Sequence, residues 1–102
     1  MSEARLIPGE AGFALVGDVR LDNAMSLRGA GVDLVRGSGV RMVDLKALGQ
    51  VDSACLALMF EWLRAARAEG RNLVFVSAPT QLRELTDAMG VSEVLGLSGG
   101  RA

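Results

Sequence analysis

An acidic residue followed directly by a hydroxyl residue, Asp52 and Ser53, stands at the predicted start of a long helix. A predicted strand, V-R-M-V-D-L at residues 40–45, lies just before the pair, and the helix runs on to Gly70. Either side chain can accept a hydrogen bond from an unpaired N–H of the first helical turn, which is worth about 1 kcal/mol. The free amides and the dipole of the same helix start would also suit an added phosphate or an acidic group of a partner. We therefore predict that the pair is a helix cap, a contact for another protein, or both.

Few residues near this pair in the sequence could take part in catalysis. The chain has no histidine, which removes the commonest general base and the usual zinc ligand. Ser53 has no base near it in sequence, and Lys46, the only lysine, would have to approach from the end of its strand. The G-A-G sequence at residues 29–31 falls inside a predicted helix and lacks the Gly-Lys-Ser/Thr of a phosphate-binding loop. We therefore expect no catalytic residue, no metal ligand and no cofactor.

Composition narrows the choice of partners and of compartment. Eleven basic and twelve acidic residues leave a formal charge of −1, and no basic stripe is present to neutralise phosphates, so nucleic-acid binding is not expected. The single cysteine, Cys55, excludes an intramolecular disulfide, and its apolar neighbours predict a buried structural thiol. The N-terminal sequence lacks the apolar segment of a signal peptide, and no run approaches the roughly 20 apolar residues of a membrane span. These features predict a cytoplasmic protein without direct membrane insertion.

The long helix carries an apolar stripe that is wider than a single contact with a sheet requires. At about 100° per residue, the face expected to pack on the sheet consists of Leu56, Met59, Leu63 and Ala66. This stripe is widened on one flank by Ala54, Leu58, Trp62 and Ala65. Either a neighbouring helix covers that flank, or Leu58 and Trp62 form an exposed patch that binds a partner or a second copy of the chain.

The order of the predicted elements indicates one small α/β domain. Strands are predicted at residues 5–7, 12–16, 40–45 and 73–76, with residues 94–97 either a fifth strand or a loose turn. Helices are predicted from residue 22 or 23 to 36, at residues 53–69, and from a cap at Thr80 to Gly90. Because strand–helix–strand order favours parallel strands joined by a right-handed crossover, we expect a mixed sheet of four or five strands with helices on one side. The domain is predicted to span residues 1–98, followed by a frayed tail at residues 99–102.

Three sequence motifs carry a family resemblance. V-D-L ends a strand, V-D-S-x-x-L-A-L opens the long helix, and E-G-R-N-L-V-F-V follows it. Together they resemble the STAS domain, the module of sulphate transporters and anti-sigma-factor antagonists. The similarity extends from G-D-V-R-L-D at residues 17–22 to V-S-E-V-L near the end, and it is strongest over residues 43–76. It implies a small mixed sheet flanked by helices on one side and a non-enzymatic role in binding other proteins.

Two branches of this family differ at the start of the helix. Anti-sigma-factor antagonists typically carry D-S-S-G or D-S-T-G there, and a partner kinase phosphorylates the second hydroxyl. In this chain Ala54 and Cys55 replace that hydroxyl and the glycine, which leaves Ser53 as the possible phosphoacceptor. The other branch is the MlaB type, the cytoplasmic subunit of the bacterial phospholipid-transport ABC complex that maintains outer-membrane lipid asymmetry. Its pattern is V-D-[ST]-x-x-L-A-L-L. Residues 51–58 match that pattern.

The resemblance implies that Ser53 and the start of the helix contact the partner. Together with the apolar flank of the helix, the expected partner-binding residues are Asp52, Ser53, Ala54, Leu58 and Trp62. The expected partner is the ATPase subunit of a phospholipid-transporting ABC complex, which would hold the chain at the cytoplasmic side of the inner membrane. The alternative partner is an anti-sigma factor that is a serine kinase.

Overall fold

The computed structural model describes residues 3–37 and 39–97. Within these residues five strands and three helices follow one another along the chain. The elements are β1 Arg5–Pro8, β2 Gly12–Val19, α1 Leu21–Gly37, β3 Met42–Asp44, β4 Leu48–Val51, α2 Ser53–Ala68, β5 Val74–Val76 and α3 Thr80–Ala88. The tail predicted at residues 99–102 lies outside the described residues.

The five strands form one mixed sheet with the order β1-β2-β3-β5. β1 is antiparallel to β2, whereas β3 is parallel to β2 and β5 is parallel to β3. β4, which the sequence pattern did not predict, also pairs in parallel with β2, beyond the end of β3. The predicted mixed sheet of four or five strands is confirmed.

Gly17 allows β2 to change partner from β3 to β4. Its φ is +90°, a backbone conformation that favours glycine, and its N–H donates to the carbonyl of Ala47. A Cβ at this position would lie 2.5 Å from the carbonyl oxygen of Glu3. The register of the β2–β4 pair shifts between Gly17 and Val19. The two β2 segments on either side of the glycine therefore pair with two different strands along the same edge.

The hydrophobic core lies on one face of this sheet. Side chains of β2 alternate, so that Phe13, Leu15 and Val19 are buried while the residues between them are half-buried. All three helices contribute to the same core cluster, with Leu27 from α1, Met59 from α2 and Leu82 from α3 among its members. The helices therefore cover one side of the sheet, as the sequence pattern predicts.

The end of the domain differs from the sequence expectation. Thr80 is the first residue of α3 rather than its cap, since Pro79 occupies the cap position and makes no side-chain hydrogen bond there. Residues 92–96 form turns, so of the two alternatives predicted for residues 94–97 the turn is the one observed. The buried hydroxyl of Ser92 donates to Thr86 Oγ1 at 2.8 Å, and Thr86 in turn donates to the carbonyl of Arg83 at 2.9 Å. This chain of hydrogen bonds fastens the turn segment to α3.

Candidate partner-binding site

Asp52 is the N-cap of α2. Its backbone is extended, and its Oδ1 accepts a hydrogen bond from the Ala54 N–H at 2.8 Å. The Asp52 carbonyl accepts from the Cys55 N–H, and its own N–H donates to the carbonyl of Val19 at the end of β2. The predicted cap is confirmed, with Asp52 rather than Ser53 as the capping residue.

The same carboxylate also joins α2 to the start of α1. Oδ2 of Asp52 accepts a hydrogen bond from the Leu21 N–H at 3.3 Å. Beside it, Asp18 Oδ1 accepts from the Gln50 N–H at 2.8 Å, and the Asn23 side chain donates to the Asp18 carbonyl at 2.8 Å. The β2–α1 and β4–α2 connections are therefore held side by side, and both helices begin at the same edge of the sheet.

Ser53 and Ala54 lie on the surface of this edge. Ser53 is the first residue of α2 and is exposed, whereas Ala54 is half-buried beside α1. The hydroxyl of Ser53 is thus accessible in the position that the sequence predicts as a partner contact. Lys46 does not serve this serine as a base in the structure, because its ammonium faces Asp44 at 3.9 Å.

Leu58 and Trp62 are buried, which corrects the prediction that they form an exposed patch. Only 2 % of Leu58 and 0 % of Trp62 remain exposed, because α1 packs along this flank of α2. The Trp62 indole N–H donates to the Arg28 carbonyl of α1 at 3.2 Å, and the ring meets Phe13 edge-on at a centroid distance of 5.3 Å. Of the two interpretations of the wide apolar stripe, coverage by the neighbouring helix is confirmed.

The exposed apolar side chains near Ser53 come from α1 instead. Leu21 is 76 % exposed and Met25 is 71 % exposed, one turn apart at the start of α1. A shallow groove runs between them and α2, and Leu58 lies in its floor although the side chain itself is almost inaccessible. We call the surface formed by Leu21, Met25, Ser53, Ala54 and Ala57 the docking surface.

Leu21 and Met25 were missed at the sequence level, although a signal was present. The sequence predicts a helix that begins at residue 22 or 23, which leaves Leu21 outside it. Helical spacing places Met25 away from the side of α1 that is buried through Leu27 and Gly31. Two large apolar residues together on the solvent side of a helix are a feature of binding surfaces.

Cys55 is buried below the docking surface, and its thiol has low reactivity. Burial, aided by the nearby Asp52 carboxylate, raises the pKa of its thiol from 9.0 to about 12. A thiol that stays protonated at neutral pH is a poor nucleophile and a poor metal ligand. Among residues 3–37 and 39–97, no group of three or more His, Cys, Asp or Glu side chains could hold a metal ion. No helix in the same ranges combines the length and the apolar character that a membrane crossing requires.

Comparison with known families agrees with this geometry. The family described as "Mlab, STAS domain" matches residues 5–97. The chain belongs to the STAS domain family. No curated protein sequence matches the chain.

Solved structures share the STAS fold with this chain. A Thermotoga maritima protein assigned as an anti-sigma factor antagonist superposes with a TM-score of 0.70 at 14 % identity, over 90 % of this chain and 82 % of that one. The anti-sigma factor antagonist SpoIIAA, in its unphosphorylated form, gives a TM-score of 0.70 at 14 % identity, over 89 % of this chain and 84 % of its own. At these identities the likeness concerns the fold.

Proposed function

We propose that this STAS protein is a non-enzymatic subunit that binds the ATPase of a phospholipid-transporting ABC complex through its docking surface. The description of the matching family supports this proposal, as does the V-D-S-x-x-L-A-L sequence at the start of α2. The observation that carries it is the groove that the exposed side chains of Leu21 and Met25 form with α2, where Ala54, the residue after the exposed Ser53, is part of the lining.

The docking surface has the composition of a protein contact. Burying a side chain such as leucine or methionine contributes about 1.5–3 kcal/mol, so Leu21 and Met25 supply the apolar centre. Ala54 and Ala57 are small and let a partner approach the helix closely. The groove is also bordered by one charge of each sign, Arg28 and Glu61. These charges would favour one position and orientation of the partner in the groove.

The subunit would act by population shift. If it binds one conformation of the ATPase more tightly than the other, it raises the fraction of that conformation by its differential affinity. Such an effect needs no catalytic residue on this chain. The shared Asp52 carboxylate favours a docking surface that keeps one shape.

Binding to the ATPase subunit of a phospholipid-transport complex from the same genome tests the proposal. Met25→Glu and Ser53→Arg place charge or bulk on the docking surface, and each is expected to weaken the affinity at least about 10-fold. Met89→Glu is the matched control, because Met89 is 57 % exposed next to α3 and lies outside that surface. Isothermal titration measures the affinity, and melting temperature establishes that each variant is folded. Unchanged binding of both docking-surface variants, or a loss with Met89→Glu, would contradict the proposal.

The alternative partner is an anti-sigma factor kinase, favoured by the accessible hydroxyl of Ser53 at the first position of α2. Incubation with such a kinase and ATP, followed by intact-mass measurement, separates the two functions. The transporter proposal expects no added phosphate, because Ala54 stands where antagonists carry their acceptor hydroxyl. Phosphate on Ser53, absent in Ser53→Ala, would make the kinase the primary partner.

A further inference from the structure

The face of the sheet that the helices leave open is also apolar. Residues paired across neighbouring strands point to the same face, so the register identifies its members. Ile7 pairs with Ala14, Ala14 with Asp44, Met42 with Val74, Arg5 with Val16, and Asp44 with Val76. The open face therefore consists of Arg5, Ile7, Ala14, Val16, Met42, Asp44, Val74 and Val76.

This open face is accessible at its margins. Ile7 on β1 is 42 % exposed and Val74 on β5 is 52 % exposed, while the central side chains of the face are half-buried. All three helices contribute to the core on the opposite face. A solvated face of an antiparallel or mixed sheet usually carries polar residues. Six apolar side chains on this face are therefore unusual for a surface that only contacts water.

We propose that the open face is a contact between two copies of this chain. A two-fold axis parallel to β2, which lies between β1 and β3, places β1 of one copy over β3 of the other. The charges on the face then complement each other. Arg5 lies level with Val16 and Asp44 lies level with Ala14, so the two charges are two residues apart along the strands, about 7 Å. An arginine side chain spans that distance, and the symmetry forms the pair twice.

Face-to-face packing suits this sheet better than pairing through its edges. β1 forms one edge and contains Pro8, which lacks the N–H that a further strand would need. β5 forms the other edge and is only three residues long. Sheets that pack face to face interdigitate their side chains at about 10 Å, which places the apolar residues of the two copies in contact.

The dimer is weak and independent of the docking surface. Four strands about 4.8 Å apart present a small face, well below the roughly 800 Å² per partner of a standard interface. Association is therefore concentration-dependent. Because α1 and α2 lie on the other side of the sheet, the dimer leaves the docking surface free, and the two proposals succeed or fail separately.

Sedimentation equilibrium of the full chain, from about 1 µM to about 1 mM, measures this association. The average mass is expected to rise from monomer toward dimer across that range. Val74→Lys should weaken the dimer at least about 10-fold, whereas Met89→Lys, equally exposed beside α3, should leave it unchanged. A monomer at every concentration, a dimer unaffected by Val74→Lys, or a loss with Met89→Lys would overturn the proposal.

The charge pair gives a second test that is specific for the two-fold arrangement. Arg5→Glu and Asp44→Lys should each weaken the dimer, and the double variant should restore it. Asp44 also accepts a hydrogen bond from the Lys46 N–H at 2.9 Å and faces the Lys46 ammonium at 3.9 Å, so melting temperatures accompany these measurements. If Asp44→Lys does not fold, Asp44→Asn replaces it, and Arg5→Glu should then have no further effect in that background. Failure to restore the dimer, or an undiminished effect of Arg5→Glu, would overturn the pairing of Arg5 with Asp44.

Discussion

The indole of Trp62 on α2 lies directly over Gly31 on α1, and no side chain fits between them. A Cβ built on Gly31 would stand 2.1 Å from the indole Nε1. The glycine lets the two helices approach closely enough for the indole N–H to reach the Arg28 carbonyl at 3.2 Å. The close approach that Gly31 allows is thus one between the two helices.

Gly31→Ala is expected to destabilise the domain, and Gly29→Ala to stabilise it. Alanine at position 31 forces the helices apart, and overpacking of this kind costs about 1–3 kcal/mol. Gly29 has nothing within 4 Å of an added Cβ, so alanine there adds about 0.5–1 kcal/mol of helix stability. Chemical denaturation followed by Trp62 fluorescence measures both. Equal effects of the same sign would contradict the packing of Trp62 on Gly31.

Asp52→Ala should destabilise both helix starts through the loss of one side chain. Its two oxygens accept hydrogen bonds from the Ala54 and Leu21 N–H groups, and the loss of a cap costs about 1–2 kcal/mol of unfolding free energy. Asp52→Asn keeps one acceptor oxygen and should lose roughly half as much. Asp22→Ala is the control, because Asp22 is an exposed acid in the first turn of α1. Hydrogen exchange should speed up at the Leu21 amide as well as at Ala54, and protection retained at Leu21 would show that Asp52 caps α2 alone.

Cys55 should make the protein lose stability above pH 9. The folded thiol has a pKa of about 12, against the ordinary cysteine value of 9.0, so between these values the unfolded chain releases a proton that the folded chain retains. The contribution of the protonated thiol to the free energy of unfolding is complete below pH 9. Between pH 9 and about 12 it falls by about 1.4 kcal/mol for each pH unit.

The composition of the chain leaves few other groups that could produce such a slope. It has no tyrosine, and its only lysine, Lys46, is 76 % exposed in its side chain. Unfolding free energies measured from pH 8 to 11 should therefore show a slope in the wild type that Cys55→Ala lacks. A slope of equal size in Cys55→Ala would assign the effect to other groups.

Thr86→Val should loosen the turn segment that follows α3. Valine keeps the shape of the buried side chain but removes the oxygen that accepts from Ser92 and the hydroxyl that donates to Arg83. Ser92 keeps its contact with the Asp87 carboxylate, so the variant loses ordinary hydrogen bonds, at about 0.5–1.5 kcal/mol each. Thr80→Val, at the exposed first position of α3, is the control. Denaturation midpoints that shift equally in both variants would contradict a specific role for the buried pair.

The features that the sequence predicted well are local ones. The Asp52 cap depends on residues two positions apart, and the strand–helix order follows from periodicity in short windows. Coverage of Leu58 and Trp62 depends instead on where α1 lies, since an apolar stripe indicates burial without identifying the neighbour. β4 escaped prediction because L-G-Q-V has no strand pattern of its own, and its pairing depends on the positive φ of Gly17, far away in sequence.

The shared carboxylate of Asp52 has a consequence for the thermodynamics of binding. Because one side chain fixes the first turns of both helices, the backbone of the docking surface is preorganised before a partner arrives. Association then requires ordering mainly of the Leu21 and Met25 rotamers, at about 0.5–1.5 kcal/mol for each side chain. We therefore expect rigid-body association without a slow conformational phase, and a heat-capacity change that reflects buried apolar area rather than coupled folding.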